Sequence, residues 1–138
     1  MKMATGISKM NHSQLLKATS EALKQSDDLL SKHEVSRHFV EGRLNHYDGH
    51  CYVAAEACYH ILGGKKSGWK SYVIPKKYIG ATTHWFLEKN GKRLDPTKKQ
   101  FDTPIPYDKA KCCGFLTVKI SRRGKILRKR IKECMDIK

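Results

Sequence analysis

The stretch Gly49-His50-Cys51-Tyr52-Val53-Ala54-Ala55-Glu56-Ala57-Cys58-Tyr59-His60-Ile61-Leu62-Gly63-Gly64 is where the chain changes character. Between Cys51 and Leu62 it is rich in alanine and free of proline and glycine. Ala54, Ala57, Cys58 and Ile61 fall on one stripe at three- and four-residue steps, so the spacing predicts a short buried helix closed by the glycine pair. Cys51 then occupies the first turn. Upstream, Arg43 to His50 carries an Asp48-Gly49 turn pair and reads as a loop.

Downstream the period shortens. Trp69 to Ile74, Thr82 to Glu88 and Arg93 to Asp95 are short β-branched or aromatic runs, the last two joined through Asn90-Gly91, a hairpin turn pair. Leu116 to Ile120 alternates in the same way and is expected to be a further strand. Pro96, Pro104 and Pro106 make the intervening segment a loop.

The flanks are helical. Leu15, Leu16, Thr19, Ala22, Leu23, Ser26, Leu29 and Leu30 recur at helical spacing between Asn11, a candidate cap, and Ser31. Ser31 with Glu34 forms a capping-box pattern that opens a second helix, which Gly42 can close. At the other end, Ser121 to Lys138 places Leu127, Ile131, Cys134 and Met135 opposite Arg128, Lys129 and Lys132. Helices first and an antiparallel sheet afterwards make an α+β fold. The expected organisation is one domain: a helical part over 1–42, a core over 43–120 and a basic carboxyl-terminal helix over 121–138.

Length and composition agree with that size. The 138 residues are 39% hydrophobic, enough for one modest core, which excludes a disordered basic protein. No stretch reaches the roughly 18 apolar residues of a membrane span, and the first twenty residues have no apolar signal core. Five cysteines, an odd number without regular spacing, point to reduced thiols and a cytoplasmic location. The formal net charge is +15, laid down as +1 over residues 1–50, +6 over 51–110 and +8 over 111–138. Such asymmetry fits contact with a polyanion, and Arg122, Arg123, Arg128, Lys129 and Arg130 are the candidate residues for nucleic acid.

Three residues in this frame have the types that thiol-dependent acyl transfer needs. A cysteine in the first turn of a helix meets unpaired amide N–H groups and the positive end of the macrodipole, which favour thiolate over thiol. A strand histidine, His84, can take and return a proton. A carboxylate on the neighbouring hairpin arm, Asp95, can fix the imidazole tautomer and stabilise its cation. Trp85 and the loop residues Tyr47 and His50 are candidates for lining the cleft. The backbone N–H of Cys51 and the side chain of Asn45 are candidate oxyanion donors.

Gly49-His-Cys51-Tyr-Val-Ala-Ala, Thr83-His84-Trp85-Phe-Leu-Glu88 and Leu94-Asp95-Pro96-Thr97, in that order, resemble the transglutaminase-like branch of the papain-like cysteine enzymes over about residues 43–100. The resemblance implies a papain-like core in which Cys51 is the nucleophile, His84 the general base and acid, and Asp95 the orienting carboxylate. It implies chemistry through a thioester on an amide of a peptide or protein, with no metal or organic cofactor. The chain departs from the pattern in that Trp85 follows His84 directly.

The competing readings have less behind them. There is no Cys-x-x-Cys or helical His-x-x-x-His pair for zinc, and Gly63-Gly64-Lys65-Lys66 follows a helix instead of preceding one, so it is not a phosphate loop. The alternative to an enzyme is a basic module that binds nucleic acid or an acidic protein, with the cysteine and histidine vestigial.

Overall fold

The computed structural model describes residues 11–30, 46–47, 49–80 and 82–135. The expected second helix over 31–42, with Asn45 and Asp48, lies outside these residues. What is described is a mixed α+β fold with a four-stranded antiparallel sheet.

Helix α1, His12–Leu23, begins where the sequence places it. The Asn11 side chain accepts from the Ser13 N–H at 2.8 Å, and Leu15, Ala18, Ala22 and Leu23 form its buried stripe. It stops well short of Ser31. The Ser26 hydroxyl donates to the Ala22 carbonyl at 2.7 Å, a local bond that competes with helix propagation, and Asp27 and Asp28 would face the negative end of the macrodipole. Leu29 and Leu30 are still buried, reached through a 3-10 turn at Asp27–Leu29.

Helix α2, Cys51–Ile61, is the hub. Val53, Ala54, Ala55, Ala57, Cys58 and Ile61 are all buried, and small alanines let neighbouring elements approach its axis. It packs against α1, against the helix at Arg122–Cys134 and against the sheet. Strand β1, Lys70–Ile74, leads through a four-residue helix α3, Lys76–Ile79, to β2, His84–Lys89, and β3, Lys92–Leu94. The spatial order is β3-β2-β1-β4, where β4 is Lys111–Cys112.

The β2–β3 hairpin forms as the Asn-Gly pair predicts: Asn90 and Gly91 take φ of 50° and 79°, and Lys89 pairs with Lys92. Along β2, Trp85 and Leu87 join the core beside α2. His84 and Phe86 share the other face, where Phe101 and Tyr107 cover them with ring centroids 4.9 and 5.0 Å away.

The expected strand at Leu116–Ile120 is not formed. The free edge of β1 is occupied by Lys111 and Cys112, paired with Val73 and Tyr72, and the Cys113 N–H donates to the Ser71 carbonyl at 3.0 Å. With that place beside β1 taken, residues 116–120 stay outside the sheet; Leu116 is 81% exposed and Val118 fully so.

Helix α4, Arg122–Cys134, closes the core with Gly124, Leu127 and Ile131 buried. Its cap is shared. Ser121 Oγ accepts from the Gly124 N–H at 3.1 Å and donates to Glu56 Oε1 at 2.5 Å, while the Ser121 N–H donates to Glu56 Oε2 at 2.9 Å. A fully buried carboxylate from α2 thus answers the unpaired donors and positive dipole of α4.

Candidate active site

Cys51 is the first residue of α2, behind a His50 that takes the N-cap position. His84 is the first residue of β2. Carried one step past Leu87–Leu94, the hairpin register sets Asp95 across from Phe86, diagonal to His84. A helix start and a hairpin therefore bring three sequence-distant residues to one place.

His84 is completely buried, and its Nε2 lies 2.8 Å from Asp95 Oδ2. The same Oδ2 accepts from the Tyr107 hydroxyl at 2.7 Å. Burial alone would push the His84 pKa down. The hydrogen bond to Asp95 and its charge, with Cys51 close by, overcome this and raise it to about 9. The imidazolium is thus the favoured form at neutral pH. The thiol itself donates to the Thr83 carbonyl at 3.5 Å. Nδ1, the nitrogen not engaged by Asp95, has no hydrogen bond among the described residues.

Cys51 lies at the edge of the core. Cys51 is 7% exposed and opens into a cleft of about 240 Å³ whose walls include Tyr52, Thr82, Thr83, Trp85, Leu116 and Arg123. Tyr52 meets Trp85 edge-on at 5.0 Å, and Phe115 stacks on Trp85 at 5.6 Å, which makes the wall rigid and apolar. Asp95 faces the other way, into grooves of about 420 and 480 Å³ shared with Leu16, Lys98 and Lys99. By contrast, Cys58 is sealed in the core; burial pushes its thiol up to about 12, and Thr19 Oγ1 is 3.4 Å away.

Of the residues singled out from the sequence, Cys51, His84 and Asp95 converge and Trp85 walls the cleft. Tyr47 does not: its hydroxyl donates to Ser20 Oγ at 2.8 Å, which places it in a groove against α1 on the Asp95 side. His50 is fully buried and supports the helix start from within. Asn45 lies outside the described residues. Among the basic residues, Arg122 and Lys129 are exposed and Arg128 is half-buried. Arg130 is engaged by both oxygens of Asp28 at 2.9 and 3.0 Å, and Arg123 Nη1 donates to the Leu29 carbonyl at 2.9 Å. The cluster is thus partly a clamp on the amino-terminal segment and not a continuous solvated stripe.

Tyr107 was not foreseen. It follows Pro106 in a 3-10 turn, Tyr107–Lys109, and the Arg93 guanidinium sits 3.6 Å from its ring centre. Burial and the adjacent Asp95 charge raise its hydroxyl pKa well above the usual range, so it stays a donor to the carboxylate. Only its place in a proline-bounded loop before β4 could have drawn notice.

No group of three or more His, Cys, Asp or Glu among the described residues could hold a metal ion. No helix among them is long and apolar enough to cross a membrane. Compared with family profiles, curated proteins and solved structures, the chain matches none.

Proposed function

We propose that this protein is a cysteine-dependent hydrolase or acyltransferase acting on an amide of a peptide or protein, built on a papain-like core of the transglutaminase-like kind. The observation that carries this reading is the buried His84–Asp95 pair at 2.8 Å, which holds the imidazole pKa up, next to a Cys51 that lines a cleft. Core packing alone does not call for a charged imidazole between a carboxylate and a thiol.

In the proposed reaction the Cys51 thiolate attacks the amide carbonyl carbon. The carbonyl π electrons move to oxygen, and the oxyanion forms near the Cys51 N–H, which heads a helix and has no intrahelical acceptor. His84 gives its proton to the departing amine as the C–N bond breaks, leaving a thioester on Cys51. It then takes a proton from the incoming water or amine, and the sulfur leaves as thiolate. Asp95 holds the Nε2–H and stabilises each imidazolium stage, and Tyr107 holds Asp95.

Incubation with p-nitrophenyl acetate tests the covalent step without a known substrate. Expected are a burst of p-nitrophenolate and an acetyl group located on Cys51 by peptide mass spectrometry, both absent in Cys51→Ala with unchanged circular dichroism. Acylation only at other residues, or a burst that survives the substitution, refutes the reading.

A further inference from the structure

Among the described residues the Cys51 cleft has apolar and aromatic walls, the Thr82 and Thr83 hydroxyl residues, and one charged side chain, Arg123. Pockets of this composition take their orientation and specificity from the few polar groups they contain. Arg123 is the second residue of α4, yet it points back across the molecule: one of its five N–H donors goes to the Leu29 carbonyl at 2.9 Å, which fixes the guanidinium in place. Its charge is felt at the Tyr52 hydroxyl, another wall of the same cleft. Among the described residues Arg123 has no acidic partner, unlike Arg93, which pairs with Glu88, and Arg130, which pairs with Asp28. The carboxylate closest to it along the α2–α4 contact, Glu56, is committed to Ser121.

A half-buried guanidinium, anchored through one nitrogen, with no acidic partner among the described residues and on the same cleft as Cys51, is set up to receive a planar anion through its remaining donors. We propose that Arg123 is the specificity-determining residue of the site, and that the acyl donor carries a carboxylate within about one residue of the amide that Cys51 attacks. The cleft volume of about 240 Å³ is that of one residue-sized group, so the carboxylate belongs to the acyl residue or its immediate neighbour. This rests on the reading of Cys51 as the nucleophile.

Two alkylating reagents of nearly equal size separate the ideas: iodoacetate carries a carboxylate and iodoacetamide does not. The rate ratio of the two is measured at Cys51 and, in the same protein, at Cys113, an exposed thiol under the same overall charge. The expected iodoacetate preference at Cys51 is about tenfold above that at Cys113, the scale of one nearby guanidinium at an intermediate dielectric. In Arg123→Gln it falls to the Cys113 value, and in Arg123→Lys, which keeps the charge, most of it remains. If Cys51 reacts fast with both reagents and its ratio matches that of Cys113, the carboxylate proposal is overturned while the nucleophile stands. If Cys51 reacts no faster than Cys113 with either, both fall. The wild-type ratio is decisive even if Arg123→Gln fails to fold.

Discussion

Replacing Asp95 by Asn removes one negative charge and almost nothing else. The amide keeps an oxygen where Oδ2 now accepts from His84 Nε2 and Tyr107, and the side chain is 2% exposed, so solvent cannot substitute for the charge. His84 sits at about 9 against an ordinary 6.5, a difference of about 3 kcal/mol at roughly 1.4 kcal/mol per unit. That lift exists despite burial, which acts in the opposite sense. Without the Asp95 charge the main group opposing burial is gone, and the expected His84 pKa in Asp95→Asn is at or below 6.5, a fall of about 2.5 units or more. On the proposed reading Cys51 reacts through His84, so its alkylation by iodoacetamide at pH 7 should slow by up to about 300-fold, the factor that 2.5 units represent. The imidazole is followed by ¹⁵N-detected NMR titration and the alkylation by mass spectrometry. Linkage adds a third readout. A pKa raised on folding stabilises the native state fully below the unfolded value near 6.5, and this contribution is lost as the pH rises through about 9. Wild-type stability should therefore decline between those limits by up to a few kcal/mol, and Asp95→Asn should lack the decline. An imidazole still titrating near 9 in the variant, or unchanged alkylation, would refute the argument.

Tyr107→Phe acts on the same carboxylate with the opposite sign. Loss of a donor to Oδ2 leaves Asp95 a stronger partner for the imidazolium, so NMR should show the His84 pKa moving up, while p-nitrophenyl acetate turnover falls about tenfold because Asp95 is less firmly held. A downward shift would mean that Tyr107 does not position Asp95. Gly124→Ala should destabilise, by about 2 kcal/mol or more in urea unfolding, although alanine ordinarily improves a helix by about 1 kcal/mol. A Cβ at residue 124 would collide with Glu56 Oε1 and approach its Cδ to 3.0 Å, and a stabilised variant would contradict that packing.

The parts of this structure that could be read from the sequence are those decided by neighbours in the chain. Asn90-Gly91 sets its own turn, and Asn11 caps its own helix. The alanine stripe of α2 marks a buried helix whatever surrounds it. Cys51, His84 and Asp95 were each named because a helix start and a hairpin are local, and the hairpin register then fixes the distance between two of them. What escaped is decided by competition between distant segments. Leu116–Ile120 has a strand's alternation, but Lys111–Cys112 reaches the edge of β1 first. Glu56 looks like any polar residue on a helix, and nothing within twenty positions reveals that Ser121 will cap it. The bond from Tyr107 to Asp95 depends on the path of a proline-bounded loop with no period to read. Tyr47 and His50 neighbour Cys51 in sequence, yet the turn before the helix sends one to the α1 groove and the other inside.

The bond between Glu56 and Ser121 also orders events during synthesis. The helix that bears Cys51 is made with a carboxylate destined for the interior, and the hydroxyl that satisfies it is translated 65 positions later. Until then a buried charge has no answer and the core stays open on the side that Leu127 and Ile131 will seal. A chain lacking that segment would thus hold Cys51 in an unassembled setting, and the surroundings of its sulfur would form only once Arg122–Cys134 has been made.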